Sequence, residues 1–294
     1  MKITSINPSN YESIGQVEAS TPQDIKNAVI KARQASLTWG ALSLSERSKA
    51  VISFMHVSRQ RSEEIALIMS REMGKPISAA RRQVTEAIDY FQAYLAMAPQ
   101  ALAPEVVFES KSERHLLTRE PFGVVACITP WNFPFLNIPW QAGQALIAGN
   151  VIVYKPSEEI VMFAKLAAEL VAASDLPDGV FTVLYGGGDV GEQLVRQPVD
   201  AVLFTGSTKT GQHITELASR SGIPVLTEMG GSAPGIVFED AEITRVVSTI
   251  YEMRFDNTGQ YCDGLKRLIV HESRLDEVLR ALKEIIDTKK LAMP

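Results

Sequence analysis

The stretch from residue 123 to residue 154, GVVACITPWNFPFLNIPWQAGQALIAGNVIVY, decides the fold. It begins with an apolar run, GVVACI at 123–128, and ends with a second apolar run, VIVY at 151–154. A helix is predicted between them, over about 135–149. Short apolar strands separated by a helix are typical of a parallel sheet that is buried on both faces. The stretch therefore predicts one strand-helix-strand unit of such a sheet.

The same alternation continues to residue 227. Further apolar runs predict strands and segments of helical periodicity predict helices, with strands at 180–184, 200–204 and 223–227 and helices at about 159–173, 190–196 and 208–220. The predicted fold class is therefore α/β, with a Rossmann-like parallel sheet. Such sheets bind ligands at the carboxyl ends of their strands, so a site is expected in the loops that follow the strands.

Different patterns flank this sheet. Before it, apolar residues at helical spacing predict helices at 24–39, 45–73 and about 77–98. Residues 105–120 place apolar runs on both sides of a polar turn, which predicts a β-hairpin outside the main body. After Gly231 a second α/β unit is predicted, with a strand at 235–238, a helix at 242–256, a tight turn at 257–262, a strand at 266–271 and a helix at 274–287.

The composition is that of an ordinary globular protein, with 46% hydrophobic and 21% charged residues and a net charge of -5. No basic block is present, so nucleic acid is not expected as a partner. The two cysteines, Cys127 and Cys262, lie far apart in sequence, which argues against a disulfide framework and favours a reducing compartment. The most apolar stretch, 128–153, is broken by prolines and glycines. We therefore predict a cytoplasmic protein with no membrane span.

Two glycine-containing segments follow predicted strands. The first, GGGDVG at 186–191, fits the G-x-G-x-x-G pattern of dinucleotide-binding loops, but that fingerprint also needs an acidic residue about 20 residues further on. The region there, FTGS at 204–207, contains no acid, so we interpret these glycines as a turn before a helix. The second, GSTKTG at 206–211, fits a pyrophosphate site at a helix N-terminus and a simple capped helix start equally well.

Five segments occur along the chain in a fixed order: TPWNFP at 129–134, KPSE at 155–158, FTGST at 204–208, EMGG at 228–231 and GQYC at 259–262. This ordered set resembles the NAD(P)-dependent aldehyde dehydrogenase superfamily, in particular its succinate-semialdehyde-dehydrogenase-like branch. The resemblance extends from about residue 4 to the end of the chain. It implies oxidation of an aldehyde to a carboxylic acid through a cysteine thiohemiacetal and thioester. The implied cofactor is NAD, with NADP as the alternative.

The resemblance also implies roles for residues at matched positions. Cys262 corresponds to the catalytic nucleophile, Asn132 to the oxyanion-hole amide and Glu228 to the general base. No metal ligand is implied. The implied cofactor contacts are Lys155 and Glu158 at the adenosine ribose, Gly206 and Ser207 at the pyrophosphate, Gly187 and Gly191 beside the adenine, and also Thr129, Pro130, Trp131, Ser157 and Thr210.

The residue types suit this chemistry. A thiolate is a good nucleophile near neutral pH, and the turn around Cys262 is expected to place backbone N–H groups beside the sulfur and lower its pKa. Cys127 lies in an apolar strand and is expected to be a small buried hydrophobe. The Asn132 amide and the Cys262 N–H would stabilise the alkoxide. Glu228 would activate water, and relatives that transfer the acyl group to coenzyme A generally lack it, so hydrolysis is favoured.

Charge bears on the choice of cofactor and substrate. Glu158 would bind ribose hydroxyls and repel a 2′-phosphate, which favours NAD, although Lys155 would also suit a phosphate. Semialdehyde-type relatives carry arginines for the substrate carboxylate where this chain has Trp140 and Asp256. Trp140 offers an apolar wall and Asp256 would repel a carboxylate, so a neutral aldehyde is predicted. Arg254 would replace those arginines only if it turned inward.

The sequence ends at Pro294, whereas members of the family continue well beyond this point. The resemblance implies a cofactor-binding domain at 1–104 and 121–229, an oligomerisation hairpin at 105–120 and a partial catalytic domain at 230–294. We expect the chain to bind NAD but to turn over poorly, and to form a homo-oligomer if the missing part is supplied. The alternative is a non-catalytic remnant that binds nucleotide or a partner subunit.

Overall fold

Residues 1–290 are described by a computed structural model. The chain begins with an antiparallel hairpin that the sequence analysis does not predict, β1 (Lys2–Ile6) and β2 (Ser13–Glu18). Four helices follow: α1 (Pro22–Ala41), α2 (Leu44–Gln60), α3 (Ser62–Met73) and α4 (Ile77–Ala101). Capping boxes at Thr21 and Ser43 define where α1 and α2 begin.

The single helix predicted at 45–73 is wrong, because the chain leaves helical geometry at Arg61. The backbone there has φ −102° and ψ 20°, and the guanidinium bonds to Glu64 at 2.6 Å and to Glu169 at 2.8 Å. The predicted end of α4 near Pro99 is also slightly short, since the helix includes this proline and continues to Ala101. A second antiparallel hairpin, β3 (Glu105–Glu109) with β4 (Arg114–Leu117), confirms the hairpin prediction and is exposed throughout.

The central sheet has five parallel strands, as the apolar runs predict: β5 (Val124–Thr129), β6 (Val151–Pro156), β7 (Phe181–Val183), β8 (Ala201–Gly206) and β9 (Val225–Met229). Their spatial order is β7-β6-β5-β8-β9. Every residue of β5 and β6 is buried, which explains the apolar runs at 123–128 and 151–154. The direction of strand addition reverses between β5 and β8, and such a reversal opens a crevice at the carboxyl ends of the two strands.

Helices connect these strands: α5 (Gln144–Ile147), α6 (Val161–Ala172), α7 (Gly188–Val195) and α8 (Thr208–Ser219). The helix predicted at 135–149 is only partly correct, because a π-helical turn at Ile138–Gly143 precedes the short α5. Pro139 lies in that turn and has no N–H to donate. Among residues 1–290, none of the helices combines the length and apolar character needed to span a membrane.

The predicted second unit comprises β10 (Ala233–Val237), α9 (Ile243–Phe255), β11 (Leu265–Val270) and α10 (Leu275–Asp287). Strands β10 and β11 pair in parallel and form a two-stranded sheet. Its buried core is small, consisting of Val237, Ile243, Val247 and Val278. The predicted partial catalytic domain, 230–294, extends to residues 291–294, which lie outside the described residues.

A buried carboxylate on α3 links the amino-terminal hairpin to helix α6. Glu72 of α3 is 5% exposed. It accepts hydrogen bonds from the Ser5 hydroxyl at 2.7 Å and from the first backbone N–H groups of α6, those of Met162 and Phe163, at 2.8 Å each. Burial raises the pKa of Glu72 to about 7, against the opposing effect of these three donors.

We therefore predict a pH-dependent contribution of Glu72 to stability. The folded carboxyl binds a proton between its ordinary pKa of 4.5 and about 7, where the unfolded carboxyl does not, so this contribution falls as the pH rises through that window. Across this window the contribution of Glu72 to the free energy of unfolding falls by about 3 kcal/mol. Urea unfolding of wild type and Glu72→Gln at intervals from pH 4.5 to 8 measures it. Glu252→Gln, at an exposed position of α9, should keep the wild-type slope, and an unchanged slope in Glu72→Gln would contradict the prediction.

Candidate active site

A cavity of 1110 Å³ extends along one face of the sheet and includes the crevice at the carboxyl ends of β5 and β8. Its other parts are lined by α4, by residues 137–150 and by the amino ends of β5 and β8. Four segments line it at the crevice: residues 130–133 after β5, residues 205–207 at the end of β8, residues 228–230 at the end of β9, and residues 260–262 before β11. The three predicted catalytic residues, Asn132, Glu228 and Cys262, all belong to this lining. The structure therefore brings together side chains that are widely separated in sequence.

The segment that precedes the cysteine has an unusual backbone. Asn257, Thr258 and Gly259 have φ values of 50°, 55° and 76°, so three consecutive residues occupy the left-handed region. Glycine adopts this conformation readily and asparagine tolerates it, but a β-branched threonine rarely does. We call residues 256–262 the cysteine turn. Contacts with the rest of the chain are needed to hold it in this conformation.

Asn132 and Asn257 hold the cysteine turn against the loop after β5. The Asn132 amide donates to the Gln260 carbonyl at 2.9 Å. The Asn257 amide donates to the same carbonyl at 3.2 Å and to the Asn132 carbonyl at 3.1 Å. A primary amide has two N–H groups, so Asn132 keeps a second donor after binding Gln260. The predicted oxyanion donor is thus oriented by the turn that carries the predicted nucleophile.

Cys262 is exposed, and its sulfur lies 3.8 Å from Asp263 Oδ1. The prediction that the turn lowers the pKa of the Cys262 thiol is wrong. Partial burial of the thiol and then the charge of Asp263 raise its pKa above the ordinary value. The N–H groups of Cys262 and Asp263 lower it, as expected, but their effect is smaller. The Cys262 carbonyl accepts from the Gly231 N–H at 3.1 Å, which links the EMGG segment to the cysteine turn.

Glu228 lies near the carboxyl end of the edge strand β9, opposite Thr205 of β8 in the strand register. Its side chain is exposed and contributes to the cavity wall.

The apolar part of the same wall includes Trp140, which packs edge-on against Tyr90 with ring centroids 5.6 Å apart. The ring centroids of Trp140 and Phe133 are 5.7 Å apart, and those of Phe133 and Tyr261 are 4.8 Å apart. A carboxylate and an aromatic surface thus face one space.

The structure also gathers the residues predicted to contact the adenosine. Lys155 at the end of β6 is 4% exposed, and its Nζ lies 3.7 Å from Glu158 Oε2. Burial lowers the pKa of Lys155, and Glu158 opposes this effect. A Cβ on Gly187 would lie 3.6 Å from Glu158 Oε1, and one on Gly191 would lie 3.6 Å from Lys155 Cδ. These two glycines therefore border the lysine-glutamate pair closely.

The predicted pyrophosphate residues begin helix α8. Ser207 is its N-cap and accepts from the Thr210 N–H at 3.3 Å. The Ser207 and Thr210 hydroxyls are 2.9 Å apart. A side chain on Gly206 would collide with the ring of Phe204, at 2.5 Å. The capped helix start is therefore present, and its first turn opens at the same crevice, because Gly206 and Ser207 line the cavity.

The remaining predicted cofactor residues differ in placement. Pro130 and Trp131 line the cavity. Thr129 is 3% exposed and its hydroxyl donates to the Tyr154 hydroxyl at 2.9 Å, so this side chain has a structural partner. Ser157 caps the short 3-10 helix Glu158–Ile160 by accepting from the Glu159 N–H at 3.3 Å. The Thr129 hydroxyl therefore uses its donor inside the fold, whereas the Ser157 hydroxyl keeps its donor after accepting this bond.

Asp256 does not have the place that its sequence position suggests. It accepts from Arg82 at 3.0 and 3.2 Å, from the Tyr261 hydroxyl at 3.0 Å and from the Asn257 N–H at 2.9 Å. It is absent from the cavity lining, so it does not face a bound substrate directly. Arg254 is exposed on α9 and also lies outside the lining.

Sequence reasoning missed three residues of the site. Lys75 lies under the loop after β5, and Asn257 and Gln260 form the contacts described above. Gln260 also donates from its side chain to the Met73 carbonyl at 3.3 Å. The Gly-Lys-Pro turn predicts the end of a helix but does not indicate that Lys75 is buried, because that burial depends on long-range contacts.

Comparison with known proteins is consistent with this geometry. The family model described as "Aldehyde dehydrogenase family" matches residues 1–294. An NAD-dependent aldehyde dehydrogenase from Sinorhizobium meliloti is 35% identical, with a TM-score of 0.93 over 97% of this chain and 58% of that one. The protein PnpE, in complex with nicotinamide adenine dinucleotide, is 33% identical, with a TM-score of 0.95 over 100% of this chain and 61% of that one.

An NADP-dependent enzyme from E. coli is 30% identical, with a TM-score of 0.95 over 100% of this chain and 61% of that chain. The chain thus spans about three fifths of the length of these relatives. The similarity covers the α/β fold with its five-stranded parallel sheet. The chain belongs to the aldehyde dehydrogenase family.

Proposed function

We propose that the chain forms the cofactor site and supplies the reactive thiol for the NAD-dependent oxidation of an aldehyde to a carboxylic acid. One observation carries this proposal: Cys262, Asn132 and Glu228 line a single cavity at the strand-order reversal. A nucleophile, a hydrogen-bond donor and a carboxylate are the groups that this reaction needs.

The first step belongs to Cys262 and Asn132. The thiolate adds to the aldehyde carbon, and the carbonyl oxygen becomes an alkoxide. The second N–H of the Asn132 amide stabilises this charge, because the first N–H is bound to the Gln260 carbonyl and fixes the direction of the amide. Loss of one such donor typically costs about 3–4 kcal/mol of barrier.

The residues around the crevice fit a dinucleotide. Lys155 and Glu158 offer a cation and an acceptor to ribose hydroxyls, and two glycines border them without side chains. The first turn of α8 offers N–H groups to a pyrophosphate. When bound, the nicotinamide supplies the hydride acceptor of the reaction. Glu158 disfavours a 2′-phosphate, so NAD is the proposed cofactor and NADP the alternative, as relatives of both kinds occur.

Glu228 is the proposed base for the second half of the reaction. Once the adduct is oxidised, the acyl group remains on Cys262 as a thioester. A water molecule activated by a carboxylate hydrolyses it and releases the acid. Glu228 is exposed at the cavity wall, where water can reach it.

The proposed substrate is a neutral aldehyde with an apolar chain. Trp140, Phe133 and Tyr261 form a contiguous aromatic wall. Lys266 lines the cavity, but its ammonium group donates to the Gly231 carbonyl at 2.7 Å. Arg254 lies outside the cavity lining, and Lys75 and Lys155 are buried. Asp256 does not repel a substrate carboxylate here, because its own charge is paired with Arg82.

The cysteines and the exposed hairpin bear on the compartment and the oligomeric state of the protein. We place the protein in the cytoplasm because both cysteines are unpaired within the described chain and one is fully buried. We propose homo-oligomers through the exposed hairpin of β3 and β4, where Val106, Val107 and Phe108 are 42%, 58% and 49% exposed.

A second candidate function is a nucleotide-binding or subunit-interaction protein without turnover. The two-stranded sheet of β10 and β11 favours it, because Ile236, Phe238 and Ile269 are 57%, 67% and 53% exposed. Such apolar surface is typically covered by further polypeptide. The residues around Cys262 are present in either case, so measured turnover separates the two functions.

The decisive test is NADH formation, followed at 340 nm, with hexanal and with succinate semialdehyde. We expect hexanal to be the better substrate, with a turnover number below roughly 1 per second. Cys262→Ala should abolish NADH formation, and Cys127→Ala, the same change in the buried cysteine, should retain it. Glu228→Gln should release a single equivalent of NADH and then stall at the thioester. Unchanged activity in Cys262→Ala, or a large preference for the semialdehyde, would contradict this proposal.

A second prediction concerns the thiol itself. Cys127 is fully buried, so iodoacetamide should modify Cys262 alone in the folded protein. Because the pKa of Cys262 is raised above 9.0, its alkylation rate should still be increasing at pH 9. Asp263→Asn removes a neighbouring negative charge and should accelerate alkylation at pH 8 by about threefold. Asp240→Asn, an exposed aspartate elsewhere, should have no effect. A slower rate in Asp263→Asn would show that the charge does not act on the sulfur.

A third prediction concerns cofactor choice. Replacing Glu158 by Gln should reduce the preference for NAD over NADP about tenfold, since a negative charge facing the 2′-phosphate is lost. Glu159→Gln changes the adjacent exposed carboxylate and serves as the matched control. Fluorescence titration of each variant with both cofactors gives the ratio of dissociation constants. An identical ratio in Glu158→Gln and Glu159→Gln would remove Glu158 from the ribose site.

A further inference from the structure

Lys75 is a buried cation next to the proposed active site. It lies in the turn between α3 and α4 and is 1% exposed. Its ammonium group lies 3.5 Å from the Asn132 carbonyl oxygen and 5.1 Å from the centroid of the Phe133 ring. Both partners are in the loop after β5, so the lysine reaches across from the helical layer to the cavity wall.

This placement is costly for a lysine. Burial lowers the pKa of Lys75 to about 7, which measures how poorly the site supports its charge. The charged groups that face it are Asp256 and Glu86, which favour the ammonium, and Arg82, which opposes it. Asp256 is itself paired with Arg82 at 3.0 Å. A methionine side chain would fill a similar volume without this penalty, so packing alone does not explain a lysine here.

The lysine acts on the residue that orients the proposed oxyanion donor. The Asn132 carbonyl accepts from Lys75 and from the Asn257 amide, while the Asn132 side chain donates to the Gln260 carbonyl. The same α3–α4 turn accepts from the Gln260 side chain at the Met73 carbonyl. The turn therefore contacts both partners, the loop after β5 and the cysteine turn, and Lys75 provides its charged contact.

We propose that Lys75 is a positioning residue of this site: its buried ammonium holds the Asn132 peptide so that the free N–H of the Asn132 amide faces the aldehyde oxygen beside Cys262. The proposal rests on the proposed function. Lys75 touches neither the thiol nor the substrate in this arrangement, and it acts through Asn132.

Reversible thiohemiacetal formation gives a readout that does not require turnover. The Cys262 sulfur adds to the aldehyde carbon, the carbonyl π bond breaks, and the thiol proton ends on the oxygen, so no oxidant is needed. Below the pKa of the thiol this equilibrium is independent of pH. Any step between pH 6 and pH 8.5 therefore reports another group. Protection of Cys262 from iodoacetamide by hexanal measures the dissociation constant of the adduct.

The experiment compares wild type with Lys75→Met, Lys75→Arg and the exposed control Lys26→Met. At pH 6 we expect Lys75→Met to weaken protection by hexanal about tenfold, while alkylation without aldehyde changes little. In wild type, protection should weaken as the pH rises through about 7, because the ammonium loses its charge. This step should be absent in Lys75→Met, and also in Lys75→Arg, which remains charged. Lys26→Met should behave as wild type.

Urea unfolding separates positioning from a structural role. Removal of a poorly supported charge should leave Lys75→Met at least as stable as wild type at pH 6. Reduced stability together with reduced protection would overturn the proposal in favour of a structural lysine. If hexanal protects Cys262 equally well in a folded Lys75→Met, the Lys75 proposal is overturned and the proposed function is unaffected. If hexanal does not protect wild-type Cys262, the proposed function fails and the Lys75 proposal fails with it.

Discussion

Strand β5 is the constraint on which the rest of the structure depends. All six of its residues, Val124–Thr129, are buried, and it bonds to β6 on one edge and to β8 on the other. A strand in this position has no face or edge that water can reach, so its residues must be apolar or have their polar groups bonded inside the fold, as Thr129 does with Tyr154. Its carboxyl end is also where the strand order reverses, and the loop that leaves it must therefore line a crevice. The position of Asn132 follows directly from this topology.

The crevice becomes a chemical site only through contacts made by a different part of the chain. The cysteine turn is held by backbone carbonyls of residues 132 and 260, which share the Asn257 amide. Three successive left-handed residues are unfavourable without such contacts, so the turn and the loop after β5 depend on each other. This dependence explains why the polar groups near the cysteine are largely engaged with each other.

Most of the fold could be predicted from sequence because apolar runs and helical spacing are local signals. All five central strands and the exposed hairpin of β3 and β4 follow from such signals. The hairpin of β1 and β2 could not, since these strands alternate weakly and bury a single residue fully, Ser5. The break at Arg61 depends on Glu169, which is 108 residues away. The placement of Lys75 and Asp256 depends on contacts of the same long-range kind.

The two buried ionisable groups, Glu72 and Lys75, show how the fold treats charge differently for stability and at the site. Glu72 receives three hydrogen bonds of 2.7–2.8 Å, which offset part of the cost of burying its charge. Lys75 receives one contact of 3.5 Å and an aromatic face. Its folded pKa lies below its unfolded value of 10.5, so the destabilisation is complete below about pH 7 and is relieved only as the pH rises toward 10.5. Burial disfavours the charged form of both groups, but Glu72 has three hydrogen-bond donors and Lys75 has a single long contact. The fold retains the Lys75 cation beside Asn132 at a cost in stability, and such costs are typical of functional sites.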